Sequence, residues 1–226
     1  MKDYKKIYFN SNDGLKITAD LYEIGSPKGL ILLCHRSHCN RAEYREIAPK
    51  FNNLGYSCLA IDQRSGMKVF GEVNETKNRA KEKGFPTGYL DAKPDIESAI
   101  DYAYELNIKK PIILLGSSYS ASLALLISIN NDKIKTTIAF SPGEYLKGID
   151  LAKEIKFINK PTFVTSPKKE IDQVKELMRN VNPSLVKHFK PNIEGFHGSK
   201  TLWESVKGSE VYWKELRDFL NIKEIS

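Results

Sequence analysis

Residues 111–122, PIILLGSSYSAS, constrain this chain more than any other stretch. A continuous apolar run suits a parallel strand buried on both faces. It is followed at once by Gly116-Ser117-Ser118-Tyr119-Ser120 and then by an apolar helical stretch at 119–129. With no residues left for a loop, the strand must feed the helix through a tight turn. Such a turn strains the residue at its apex, so the positions two before and two after it must be small. Gly116 meets the first requirement, Ser120 stands where a second glycine is usual, and Ala121 keeps the helix start uncrowded. The turn lifts the Ser118 hydroxyl clear of the sheet. It also aims the first helical N–H, that of Tyr119, at the same point, where it can stabilise an oxyanion. Ser117, Ser120 and Ser122 read as turn and packing residues.

The rest of the chain supplies a sheet for this strand. Apolar runs alternate with amphipathic ones, as in a parallel sheet with crossover helices. Residues 5–10 and 14–23 read as an antiparallel hairpin around Ser11-Asn12-Asp13-Gly14. Strands are expected at 29–35, 56–62, 111–116, 134–142, 161–166 and 185–189. Helices are expected at 41–54, 94–106, 119–129, 170–180 and 201–220. The polar stretch 63–93 is too long for a plain connection and is expected to be functional or mobile. No repeat or linker interrupts the pattern, so residues 1–226 read as one domain. The fold class is therefore α/β, three layers deep, with a mostly parallel central sheet and an antiparallel N-terminal hairpin.

Composition removes several classes of function. The three cysteines, Cys34, Cys39 and Cys58, are too few for a disulfide framework and suit a reducing compartment. Cys34 and Cys58 fall in apolar runs and read as buried thiols. The opening, MKDYKKIYF, has no apolar stretch of signal-peptide length, and no window approaches a membrane span. A cytoplasmic protein without membrane contact is expected. The net charge of +7 comes from lysines interleaved with acids along the whole chain, as on a solvated surface. A nucleic-acid partner is not expected. CHRSHC places two Cys and two His together but lacks a second ligand cluster, so no metal and no cofactor is expected.

An attacking serine needs a base and an acid that orients it. Of the four histidines, His197 lies in GFHGSK after the last strand, between glycines that let the loop swing the ring inward. His188 alternates within LVKHF and reads as structural; His35 and His38 precede the turn. The acid follows the strand PTFVTSPKKE: Glu170 falls in the loop, and Asp172, the alternative, falls in the first helical turn. The chain order Ser118, Glu170, His197 matches one of the known orders of a serine triad.

On LLCHRSHCNRAEY, GSSYS, PTFVTSPKKE and GFHG, the chain resembles the α/β-hydrolase superfamily, and within it the small, cap-poor dienelactone-hydrolase-like group. The resemblance runs from about residue 15 to near the end. It implies that the backbone N–H after a His-Gly turn completes the oxyanion hole. Here that turn reads His35-Arg36-Ser37, which makes Ser37 the second donor and Arg36 the fallback. Arg36, in place of glycine, either recognises a substrate carboxylate or points to solvent. His38 and Tyr119 are further candidates for substrate contact.

The 143–160 segment leaves room only for a small lid, and Arg64, Phe70, Phe85 and Tyr89 are expected to form the other wall. These features point to a serine hydrolase acting on a small carboxylic ester, lactone or thioester, with a small molecule as its partner. An acyltransferase would use the same three residues. A non-catalytic binding protein on the same fold would explain Arg36 and Ser120 but not a full Ser/acid/His set.

Overall fold

The computed structural model describes residues 4–222. Residues 1–3, which open the segment read above for a targeting signal, and 223–226 lie outside the described residues. In chain order the elements are β1 (Lys5–Asn10), β2 (Lys16–Tyr22), β3 (Gly29–Cys34), α1 (Ile47–Asn53), β4 (Tyr56–Ile61), α2 (Glu75–Glu82) and α3 (Lys93–Leu106). Then come β5 (Ile112–Ser117), α4 (Tyr119–Ile127), β6 (Ile134–Phe140), α5 (Leu151–Glu154), β7 (Thr162–Thr165), α6 (Ile171–Leu177), β8 (Val186–Phe189) and α7 (Ser209–Ile222).

The strands form one eight-stranded sheet in the order β1-β2-β4-β3-β5-β6-β7-β8. β1 pairs antiparallel with β2 across the expected hairpin, Lys5 opposite Leu21. β2 is also antiparallel to β4, and every later pairing is parallel. The order reverses beside β3, so β5 lies centrally with its C-terminal end in the crevice where doubly wound sheets carry their sites.

The two-residue period of the strands sorts their side chains into two cores. Leu30 and Leu32 of β3 and Leu114 of β5 pack with Ala99 and Ala103 of α3 and Leu123 of α4. Ile31, Leu33, Ile113 and Leu115 face the other way, onto Phe51 of α1 and Trp213, Leu216 and Phe219 of α7. Burying each large aliphatic side chain contributes about 1.5–3 kcal/mol. That is why the central strands read as unbroken apolar runs.

Two expectations about helices require correction. The helix expected over 41–54 is split into a 3-10 turn, Arg41–Tyr44, and α1. Pro49 cannot donate to a carbonyl four residues back, so a helix can only begin close before it. Arg41 is meanwhile fully buried, its backbone N–H and guanidinium held by Asp62 and its Nε by Asp20. The closing helix begins at Ser209 instead of 201, because Gly208 has φ +84° and breaks the right-handed turn.

The 63–93 stretch is not a long loop. It contains α2, capped by the Asn74 side chain on Lys77 N–H. α2 is fastened to β2: Thr76 Oγ1 accepts from Thr18 N, and Arg79 bonds the Lys16 carbonyl and Thr18 Oγ1. Its attachment is polar, so no apolar period announced it.

The segment 143–160 carries α5 and a short 3-10 turn, Ile155–Phe157. Leu151, Ile155 and Ile158 are buried in the core beside α4, and the Glu144 carboxylate accepts from Leu151 N and Ala152 N. The small lid expected from its length is therefore rooted in the body of the protein.

Candidate active site

β5 ends at Ser117 and α4 begins at Tyr119, leaving Ser118 alone at the apex of the turn. Ser118 has φ +61° and ψ −126°, a conformation L residues adopt only under constraint. Two contacts impose it. Ser118 N donates to the Phe140 carbonyl at 2.8 Å, and a Cβ on Gly116 would collide with the backbone of Ser120 and Ala121. Gly116 is thus required by space.

Ser120 has a task of its own. Its Oγ donates to the His35 carbonyl at 2.6 Å and lies 2.5 Å from Gln63 Nε2. A glycine there would leave both groups short of a partner inside the protein. The substitution ties the start of α4 to the turn after β3.

The Ser118 hydroxyl donates to His197 Nε2 at 2.7 Å. His197 Nδ1–H in turn donates to Glu170, 2.9 Å from Oε1 and 3.1 Å from Oε2. Glu170 sits at the end of a 3-10 turn, Lys168–Glu170, just past β7. Burial alone would raise its pKa. The hydrogen bonds from His197 and Ser141 and the nearby Lys169 outweigh burial and hold the carboxyl below its usual range. Asp172, the alternative acid, lies exposed in the first turn of α6, so it is Glu170 that stands beside His197.

The loop carrying His197 is pinned just beyond the ring. Gly198 N donates to Ser141 Oγ at 3.0 Å, and Ser199 N donates to Ser117 Oγ at 2.8 Å.

The turn after β3 is equally constrained. His35 is fully buried, with Nδ1–H donating to the Arg36 carbonyl and Nε2 accepting from Gln63 N. Burial pushes its pKa down to about 4, so the ring is a neutral brace between the ends of β3 and β4. Arg36 N–H donates to Glu43 Oε2 at 3.0 Å. That hydrogen bond occupies the N–H expected as the fallback oxyanion donor. The Arg36 side chain lies over Gly198 with its Nε 3.8 Å from Glu43 Oε1, turned inward instead of out to solvent. His38 is exposed on the same turn with φ +56°.

One residue expected to contact substrate, Tyr119, and one expected in the wall, Arg64, are placed otherwise. Tyr119 has no exposed surface: its ring stacks under Tyr89 at 4.5 Å and its hydroxyl meets Gln63 and Ser65. Its side chain is therefore packing. Arg64 is 2% exposed and paired with Asp95 at 2.6 Å and Asp13 at 2.7 Å, so it holds the β4 end to α3 and the hairpin. Phe70 remains exposed, edge-on to Trp203 at 5.1 Å.

The structure adds two residues that the motifs did not single out. Tyr145, on the segment after β6, places its hydroxyl against Ser118 and its ring edge-on to His197 at 6.4 Å. Burial and the charge of Glu170 raise its pKa, so its hydroxyl stays protonated. A Gly-Glu-Tyr triplet after a strand gave no signal for this. Glu43 is the second, a fully buried acid beneath the turn. Among the described residues, no helix is long and apolar enough to cross a membrane.

Comparison with known proteins agrees with this architecture. The family described as Serine aminopeptidase, S33 matches residues 25–214. No curated protein sequence matches the chain. Among solved structures, the Pyrococcus furiosus esterase Pf2001 is similar with a TM-score of 0.77 at 18% identity, over 96% of this chain and 91% of that one. Est1E from Butyrivibrio proteoclasticus, bound to ferulic acid, gives 0.74 at 14% identity, over 97% and 100%. The dienelactone hydrolase from Anabaena variabilis gives 0.70 at 13%, over 96% and 97%. At these identities the likeness is one of fold.

Proposed function

From the premise that the chain belongs to the serine aminopeptidase S33 family and is an enzyme of the α/β-hydrolase type, we propose that it cleaves small carboxylic esters, lactones or thioesters through an acyl-enzyme on Ser118. The reading takes the chain as one catalytic domain. The observation that carries it is the unbroken relay from Ser118 Oγ through His197 to Glu170, at 2.7 and 2.9 Å.

In this reading His197 Nε2 takes the Ser118 proton as Oγ bonds to the substrate carbonyl carbon, and the carbonyl electron pair moves onto oxygen. Tyr119 N–H, which has no intrahelical acceptor, and Ser37 N–H receive that oxyanion. Collapse breaks the bond to the leaving group, which takes the proton from the imidazolium. Water then attacks the acyl carbon, His197 accepts its proton, and Ser118 departs with that proton. Glu170 holds the ring with Nδ1 protonated and stabilises the imidazolium in both halves. Tyr145, edge-on to His197, walls the site from the side of the 143–160 segment. Arg36 is engaged by Glu43, which favours a role in the turn over recognition of a substrate carboxylate.

Labelling with a fluorophosphonate, followed by peptide mapping, tests the reading. Labelling at Ser118 that is lost in Ser118→Ala and His197→Ala supports it. A folded protein that takes no label overturns it and turns attention to a binding protein. A panel of p-nitrophenyl esters, thioesters and aminoacyl anilides, with and without an alcohol acceptor, then separates esterase from peptidase and acyltransferase.

A further inference from the structure

Glu43 is a buried carboxylate that the triad does not employ. It stands in the 3-10 turn Arg41–Tyr44 with no exposed surface. Its Oε1 accepts from Ser117 Oγ at 2.9 Å and from Ser199 Oγ at 2.6 Å, and its Oε2 accepts from Arg36 N at 3.0 Å. Its own carbonyl accepts from Trp203 Nε1 at 2.9 Å. The three residues on its carboxylate belong to the turn after β3, the last position before Ser118, and the loop two residues past His197.

We infer that Glu43 is a positioning residue that couples the oxyanion turn to the histidine loop, an inference that rests on the serine-hydrolase reading above. One carboxylate holds the His35–Arg36 peptide, next to the one that carries the Ser37 N–H, together with the residue adjoining the nucleophile and the tail of the base's loop. The oxyanion donor and the base are thereby registered against a common point.

The chemistry calls for a carboxylate. Three donors converge on two oxygens, and an ionised carboxyl offers acceptor sites only. A glutamine would turn its N–H2 toward at least one of those donors. A buried charge is costly unless every lone pair facing the protein is used, and here the donors and Arg36 Nε at 3.8 Å supply that compensation. Ser117 extends the junction, since its Oγ donates to Glu43 while accepting from Ser199 N at 2.8 Å. Releasing Glu43 would leave the His35–Arg36 peptide held at its carbonyl alone, by Ser120 Oγ, and would loosen Ser199. Both movements displace groups that must meet one substrate carbonyl.

The test is steady-state hydrolysis of a p-nitrophenyl ester by the wild type, Glu43→Gln, Ser199→Ala and the double variant, with thermal midpoints measured alongside. Misplacement on the ångström scale predicts a kcat for Glu43→Gln lower by about ten- to a hundredfold, with KM within about threefold. Ser199→Ala should lose less, and the double variant no more than Glu43→Gln, because both remove the same link. A folded Glu43→Gln enzyme with kcat within about twofold of wild type, or losses that simply multiply, overturns the inference. Should Glu43→Gln fail to fold, an unchanged kcat in Ser199→Ala overturns it equally. A wild type that neither labels at Ser118 nor turns over ester rejects the serine-hydrolase reading itself, and the coupling with it.

Discussion

Gly198 and Ser117 stand so close that a Cβ on the glycine would lie 2.5 Å from the serine Oγ. Gly198 also has φ +74°, where side chains are strained. Gly198→Ala should therefore push the loop off the sheet and carry His197 with it. We expect at least about a hundredfold loss in kcat/KM and a loss of stability of about 1–3 kcal/mol. Steady-state kinetics and denaturant unfolding check both; near wild-type turnover would contradict the packing described.

Glu170→Gln keeps the shape of the acid but removes the charge that faces imidazolium. The expected fall in kcat is about a hundred- to ten-thousandfold. Asp172→Asn, exposed on α6, should stay within about twofold. The reverse ranking would reassign the acid.

Tyr145→Phe removes the hydroxyl beside Ser118 and leaves the ring against His197. A drop in kcat of about tenfold is expected, smaller than the loss of a full oxyanion donor. An unchanged kcat would reduce Tyr145 to a wall.

Ser120→Gly restores the residue usual at this position and deletes the links to His35 O and Gln63. Stability should fall by about 1–3 kcal/mol, read from chemical denaturation. A stabilised variant would mean that these bonds contribute nothing.

His35 titrates near 4 in the folded protein against 6.5 when unfolded. A base whose pKa is lowered by folding contributes stability that is complete above the unfolded value. That contribution is lost as pH falls from 6.5 toward 4, because the unfolded chain binds the extra proton. His188 is lowered to about 4 as well. The informative quantity is thus the difference between wild type and His35→Gln in denaturant midpoints across that window. The wild type should show the steeper acid slope by about one proton; equal slopes would show that His35 is not held neutral.

The sequence made Ser118 legible because strand, turn and helix meet there without an intervening residue. His197 was legible because glycines flank it. Glu43 was not. Inside RAEYREIA it reads as one more acid on an amphipathic surface, and what buries it is Ser199, 156 residues away. α2 was missed for a related reason: its fastening to β2 is by side-chain hydrogen bonds, which leave no period in the sequence. Arg64 and Tyr119 were misread because an arginine or a tyrosine near a site looks equally available whether or not an acid or a ring covers it. The split of the helix over 41–54 could have been read from Pro49.

The anchoring of the 143–160 segment bears on the rhythm of turnover. A flap that must peel three buried aliphatic side chains, Leu151, Ile155 and Ile158, out of the core cannot beat open and shut with each catalytic cycle. Substrate and product would exchange past a fixed threshold, so the chemical steps, not a gate, would set the pace. Turnover should then ignore the viscosity of the medium, while kcat/KM, which reports acylation, follows the basicity of the departing alcohol.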